Sequence, residues 1–277
     1  MTEPRLNRLF APDGRCLNVA VDHGVFGELG FLEGLENLGQ AVQTLVETGP
    51  DALQLAPGQA HLLQRLPGRQ KPALVLRTDT TNAYGTTSAG LLFAEMTEGV
   101  VELALRLDAA SLVVNLLWLP GETELYRDSL RNVQRLKAEA GRYGMPLMVE
   151  PLAMRPGRAG YEADGDVNRI VPLVRQAVEL GADVIKADFT ENLEDYHRVV
   201  EAASSRPVLV RGGGRVDDRV LLERTYRVMA QGAKGLVYGR NIVQHKNPRG
   251  MVRALMRIVH EGAAPEEAAA SLSGVGA

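Results

Sequence analysis

The sequence predicts a single (β/α)8 TIM barrel, an α/β fold in which parallel strands alternate with helices. Three observations carry this expectation. Apolar runs of four to seven residues, rich in Val and Ile, recur along the whole chain with the near-continuous hydrophobicity of parallel strands covered on both faces. Longer segments with helical periodicity separate them. Several of these segments stop at Gly or Pro just before the next strand, as in ETGPD, LGAD, SSRP and QGAKG.

Taken in order, strand one is expected over Cys16–Asp22 (CLNVAVD) and is followed by a helix over Leu35–Thr48. Strand two, Asp51–Ala56, leads to the weakest helical pattern, around Gly58–Gln64. Strand three is Ala73–Asp79, with a helix over Glu95–Arg106; strand four is Ser111–Leu117, with a helix over Glu122–Tyr143. Strand five, Pro146–Leu152, precedes a helix over Val167–Leu180, and strand six, Asp183–Phe189, one over Leu193–Ser204. Strand seven, Pro207–Gly212, precedes a helix over Asp217–Gln231, and Gly235–Arg240 is strand eight. Eight such units close a barrel more naturally than they fill the alternative, a doubly wound open sheet. Residues 1–262 are expected to form one domain, and the small and polar tail 263–277 a frayed end or short helix.

Bulk composition narrows the partners. The 277 residues are 45% hydrophobic, enough for one sizeable core. Lys plus Arg number 31 against 34 Asp plus Glu, a net charge of −3, so no global field draws the chain to nucleic acid or to anionic lipid, and a small-molecule partner is expected. The single cysteine, Cys16, allows no internal disulfide and fits a reducing compartment; placed in an apolar strand, it is read as packing. No apolar run approaches a membrane span and MTEPRLNRLF lacks the pattern of a signal peptide, so the expected location is the cytoplasm.

Chemistry in such barrels sits at the C-terminal ends of the strands. Strand six, DVIKADF, places Lys186 there, where loss of solvation lowers an amine's pKa and leaves it able to attack a carbonyl. Of the other four lysines, Lys71 and Lys234 precede strands, Lys137 lies in a helix and Lys246 follows the last strand. The competing reading is a buried lysine paired with Asp188. In strand one, alternation places Asn18, Ala20 and Asp22 on one face, with Val19, Val21 and His23 on the other. Asp22 then points into the barrel mouth, to support a protonated lysine or imine and to move protons, unless it only fixes the following loop. Glu150 in strand five is costly unless functional or paired; it is a candidate general acid/base, or else the partner of Arg77 or Arg155.

Arg211-Gly212-Gly213-Gly214 after strand seven and Gly239-Arg240-Asn241 after strand eight are candidate phosphate loops, the alternative being tight turns with no ligand. His23, Arg77, Asp79, Asn115 and Trp118 are further candidates to line the pocket. The five histidines show no HxH or HxxxH spacing and there is no CxxC, so neither a metal nor another cofactor is expected.

Four segments together, AVDHG (20–24), GADVIK (181–186), the glycine loop after strand seven and YGRNIVQH (238–245), resemble the archaeal-type class I fructose-bisphosphate aldolase family. That family also includes the autoinducer-2 thiolase and the aminodideoxyheptulosonate synthases. The resemblance spans most of the chain. It implies a Schiff base at Lys186, a catalytic role for Asp22, and phosphate held by Gly212, Gly213, Gly239 and Arg240. It also implies a homo-oligomer, and a leading substrate in fructose 1,6-bisphosphate, cleaved to dihydroxyacetone phosphate and glyceraldehyde 3-phosphate. Two departures stand out. The Tyr-Pro-Arg-Gly that many members carry after strand five falls here on Leu152 and Ala153, whereas Glu150 resembles the strand-five Glu of tagatose-bisphosphate and sulfofructose-phosphate aldolases. Arg211 replaces a usually small residue. The alternatives are transaldol or thiolase-type chemistry on another phosphorylated sugar or dicarbonyl, and a non-catalytic sugar-phosphate-binding barrel.

Overall fold

A computed structural model describes residues 3–68, 70–84, 91–157 and 160–273. Eight strands form the barrel: β1 (Cys16–Ala20), β2 (Ala52–Leu55), β3 (Ala73–Arg77), β4 (Ser111–Trp118), β5 (Leu147–Gly157), β6 (Val184–Ala187), β7 (Val208–Arg211) and β8 (Gly235–Tyr238). Each pairs in parallel with its sequence neighbours, and β1 closes on β8. The pairing of β4 with β5, from Leu112 with Leu147 onward, is what separates this closed sheet from an open doubly wound one. Closure at β1 and β8 needs a glycine: a Cβ on Gly235, whose φ is +144°, would lie 1.9 Å from the Cys16 carbonyl oxygen.

Alternation along the strands sorts side chains into two apolar layers. Outward residues such as Leu17, Val19, Leu53, Leu74, Val149 and Ile185 pack under the helices in the larger core. Inward residues, among them Ala52, Val75, Val113, Met148, Val184 and Leu209, fill the barrel with Leu9 beneath them. Leu9 ends a helix, Glu3–Leu9, that was not expected from the sequence. It plugs the N-terminal end of the barrel, tied by Arg5 to the Ala109 carbonyl at 2.8 Å and by Arg8 to Asp108 at 2.9 Å. Its signal is the spacing of Leu6, Leu9 and Phe10, which puts three apolar side chains on one helical face.

Several boundaries differ from expectation for physical reasons. The first strand ends at Ala20, and Asp22 starts a short 3-10 turn over His23–Phe26. The expected helix over Glu95–Arg106 is partly strand: Asp79–Thr81 and Ala94–Met96 form an antiparallel hairpin, and the helix occupies Val100–Arg106. β5 runs past Leu152 to Gly157 and folds back against Gly160–Ala163. The tail forms a helix over Pro265–Ser273 that buries Pro265 and Ala268. Residues 274–277 of the expected tail lie outside the described residues. Among the described residues no helix is long and apolar enough to cross a membrane.

Candidate active site

The site follows from one step of the strand period. Ala20, Ala52, Val75, Val113, Met148, Val184, Leu209 and Val237 belong to the apolar barrel interior. Two residues further along, on the same inward face, stand Asp22, Gln54, Arg77, Asn115, Glu150, Lys186, Arg211 and Gly239. The floor is thus wholly apolar, and the layer above it is almost wholly polar. Register brings the acid and the amine together: Val149 pairs with Ile185, so Glu150 and Lys186 lie side by side on adjacent strands.

A charged web fills this layer. Lys186 Nζ donates to Glu150 Oε2 at 2.8 Å, and Arg77 Nη2 donates to the same oxygen at 2.8 Å. Arg211 Nε lies 2.9 Å from Glu150 Oε1, and its Nη1 donates to Asp188 Oδ1 at 2.7 Å. Arg77 also donates to Asp22 Oδ2 at 2.7 Å and to Asp79 at 3.3 Å, while Gln54 donates to Asp22 Oδ2 at 2.7 Å. Arg77 is 1% exposed, so this charge is tolerable only because three carboxylates surround it. Arg77 therefore sits at the centre of the web. Lys186 pairs with Glu150 and not with Asp188, which Arg211 holds instead. Glu150 in turn pairs with Arg77, whereas Arg155 lies out on the β5 hairpin against Glu162.

Protonation follows from burial and these neighbours. Burial favours the neutral carboxyl of Glu150, but Lys186, Arg77 and Arg211 outweigh it and hold the group well below the usual carboxylate range. Asp22 is likewise lowered: burial opposes ionisation, and Arg77, Lys186 and His23 overcome it. Burial lowers the Lys186 ammonium, with Glu150 pushing back and Arg77 adding to the fall. His23 is pushed down to about 4, chiefly by burial, and is neutral near pH 7. Burial raises Asp79 and Asp188 despite their arginine partners.

Lys186, Glu150, Arg77 and Arg211 line one cavity with Asp22, His23, Phe26, Phe31, Tyr84, Gly212, Gly213, Gly239 and Arg240. Of the residues singled out in the sequence, Asp22, His23, Arg77, Glu150, Lys186, Arg211, Gly212, Gly213, Gly239 and Arg240 meet there, whereas Asp79, Asn115, Trp118, Gly214 and Asn241 do not line it. His23 was placed by alternation on the outer face with Val19 and Val21; it enters the cavity because the strand has already ended at Ala20 and the 3-10 turn breaks the period. Trp118 does not take part: it lies outside the barrel under Arg169, 5.5 Å from the guanidinium carbon. Asn115 and Asp79 bind each other, with Asn115 Nδ2 donating to Asp79 Oδ2 at 2.9 Å.

The two glycine loops approach closely. A Cβ on Gly212 would lie 2.9 Å from the Tyr238 ring, and one on Gly239 2.3 Å from His23. Asn241 Nδ2 fastens the loops by donating to the carbonyls of Gly212 and Gly214 at 3.0 and 3.1 Å. Arg240 stacks its guanidinium 4.4 Å over Phe31 and donates to the Gly213 carbonyl at 3.0 Å. No carboxylate among the described residues pairs with it, in contrast to Arg77, Lys186 and Arg211. The open space beside Lys186 is about 40 Å³, and Gly212 and Gly213 also border a neighbouring cavity of about 590 Å³. Sequence reasoning missed Tyr84, Phe26 and Phe31, which come from loops with no period to mark them. Among the described residues no three His, Cys, Asp or Glu side chains are grouped to hold a metal ion.

Residues 16–245 match the DeoC/LacD family aldolases. The chain is 33% identical over 268 residues to an uncharacterized aldolase of Saccharolobus solfataricus, covering 95% of each. It is 30% identical to the 2-amino-3,7-dideoxy-D-threo-hept-6-ulosonate synthase of Halobacterium salinarum, covering 96% of this chain and 94% of that one. It is also 30% identical to the 3-hydroxy-5-phosphonooxypentane-2,4-dione thiolase of Klebsiella pneumoniae, covering 96% of this chain and 83% of the other. Among solved structures it resembles a Schiff-base-forming fructose-1,6-bisphosphate aldolase with a TM-score of 0.79 at 24% identity, covering 94% of this chain and all of that one. An archaeal fructose 1,6-bisphosphate aldolase superposes with a TM-score of 0.78 at 24% identity, covering 95% and 100%. A closed barrel matched to that family over most of its length makes this chain an enzyme of the DeoC/LacD aldolase family.

Proposed function

We propose that the enzyme is a class I aldolase that forms a Schiff base through Lys186 and cleaves or forms a phosphorylated ketose, with fructose 1,6-bisphosphate as the first substrate to test. The observation that carries this reading is Lys186 itself: 4% exposed, at the C-terminal end of β6, with Glu150 at 2.8 Å as its carboxylate partner in a cavity bordered by two glycine loops. Burial lowers its pKa and so raises the share of neutral amine able to attack a carbonyl. The amine attacks the C2 carbonyl, water leaves, and the resulting iminium takes up the electron pair of the C3–C4 bond when it breaks. Glu150, held ionised, stands where it balances the iminium charge. Both hydrogen bonds to Asp22 fall on Oδ2, which leaves Oδ1 to accept the proton of the substrate hydroxyl. Arg240, which has no carboxylate partner among the described residues, receives the phosphate together with the backbone around Gly212, Gly213 and Gly239.

Incubation with dihydroxyacetone phosphate or fructose 1,6-bisphosphate, reduction with borohydride and peptide mass mapping is expected to place the adduct on Lys186. A folded protein with Lys186 unmodified refutes the mechanism. A second reading keeps the imine and changes the substrate: the synthase and thiolase relatives match at 30% identity over 96% of the chain, above the 24% of the fructose-bisphosphate aldolase structures. Turnover of a phosphorylated dicarbonyl in preference to the bisphosphate supports that second reading.

A further inference from the structure

The carboxylates around Lys186 leave one step without a suitable group. After C–C cleavage the enamine carbon must gain a proton, and in synthesis the same carbon must lose one. Glu150 carries no proton to give: even with the Lys186 nitrogen neutral in the enamine, Arg77 at 2.8 Å and Arg211 at 2.9 Å hold it as an anion. Asp22 is held ionised in the resting site, and in the reading above its proton traffic is with the substrate hydroxyl, which takes the same proton back in synthesis. His23 is neutral, but its Nδ1 is closed off from solvent and its Cε1–Nε2 edge abuts Gly239.

Tyr84 fits the requirement by geometry. It reaches the Lys186 cavity from the segment after the strand Asp79–Thr81, wedged edge-on against Phe26 and Phe31 at 5.2 and 5.0 Å between ring centres. Its ring also packs on the apolar cluster formed by Ala83, Ala94, Leu117, Leu119, Leu125, Leu152 and Met154. Arg211 Nη2 donates to the phenol oxygen at 2.6 Å. A guanidinium can only donate, so the phenol oxygen accepts in that bond and keeps its own hydrogen, for which the described residues offer no acceptor. From Tyr84 the contacts run to Arg211, then to Glu150 at 2.9 Å, then to Lys186 at 2.8 Å. Burial raises the phenol's pKa, which keeps it protonated in the resting site.

We infer that the Tyr84 hydroxyl is the proton donor and acceptor at the enamine carbon of the Lys186 imine, an inference that rests on the Schiff-base reading above. In the cleavage direction the enamine π pair forms the new C–H bond, the nitrogen lone pair restores the iminium, and the Tyr84 O–H bond breaks. The phenolate charge is held by Arg211 until water returns a proton. In synthesis the phenolate takes the C–H proton and the pair flows back to nitrogen.

The test uses dihydroxyacetone phosphate and two readouts on the wild type and Tyr84→Phe: borohydride trapping at Lys186, and deuterium uptake from solvent into the hydroxymethyl carbon next to the carbonyl. The expected result is trapping within about two-fold of wild type with exchange slowed roughly 10²–10⁴-fold, the contribution of a general acid–base group. Exchange at the wild-type rate in Tyr84→Phe overturns the inference and leaves the Schiff base standing. Equal losses of trapping and exchange also overturn it, because they show that Tyr84 only positions Arg211. A wild type that is not trapped at all overturns the Schiff-base reading and this inference with it.

Discussion

Glu150→Gln isolates the energetics of the charged web. In the wild type one carboxylate meets Lys186, Arg77 and Arg211 at 2.8, 2.8 and 2.9 Å, with both carboxyl and guanidinium of the Arg77 pair almost fully shielded from water. The amide keeps the shape and removes the charge, so three cations lose their common counter-ion while Asp22, Asp79 and Asp188 still serve two of them. Breaking a buried pair in this way costs about 3–5 kcal/mol. For a chain of this size, that corresponds to a fall in Tm of roughly 6–20 °C. The pH dependence gives a second handle. The folded pKa of Glu150 lies below its ordinary value of 4.5, so its stabilisation is fully present above that value and is lost as pH falls through the folded pKa. The Tm difference between wild type and variant, followed by circular dichroism, is therefore expected to be constant above about pH 6 and to shrink in strong acid. A variant within about 1 kcal/mol of wild type at neutral pH refutes the view that Glu150 is the shared counter-ion.

Three further outcomes follow from other parts of the molecule. Arg240→Ala removes the cavity cation that has no carboxylate partner among the described residues, and is expected to raise KM for a phosphorylated substrate roughly 10- to 150-fold while leaving an unphosphorylated analogue nearly unchanged. Gly235→Ala sets a Cβ 1.9 Å from the Cys16 carbonyl oxygen at a φ of +144°, so loss of more than about 4 kcal/mol is expected in urea titration, or no folded protein at all. His260 hydrogen-bonds Asp51 at 3.0 Å and Asp13 at 2.8 Å, and these bonds raise its pKa above 6.5. Its contribution is complete below 6.5 and is lost as pH rises through the folded value, so His260→Gln should cost more Tm near pH 6 than near pH 9.

What the sequence made legible was whatever the strand period could carry. Lys186 and Glu150 were readable because a charge in an apolar strand must point somewhere, and alternation says where. The ambiguity over Glu150's partner was real: Arg77 and Arg155 are both near in sequence logic, and only the hairpin that carries Arg155 away toward Glu162 decides between them. Alternation puts His23 on the outer face, but β1 ends at Ala20 and the 3-10 turn carries the ring into the cavity. Tyr84 left no signal, as it lies in a loop and meets Arg211 across 127 positions of chain. Trp118 looked like a pocket residue because it ends β4, yet one step of the period turns it outward.

The Arg77–Glu150 bond also divides the molecule in an informative way. β1 to β4 bring Asp22, Asp79 and Arg77 to the site, an excess of one negative charge, while β5 to β8 with the loop after them bring Glu150, Asp188, Lys186, Arg211 and Arg240, an excess of one positive charge. Each half-barrel is therefore nearly self-neutral at its C-terminal rim and opposite in sign to the other. Produced as two separate chains, the halves would carry a built-in electrostatic instruction for which rim meets which. The salt sensitivity of their reassembly would then measure how far active-site charge, beyond the apolar floor beneath it, guides the closing of the barrel.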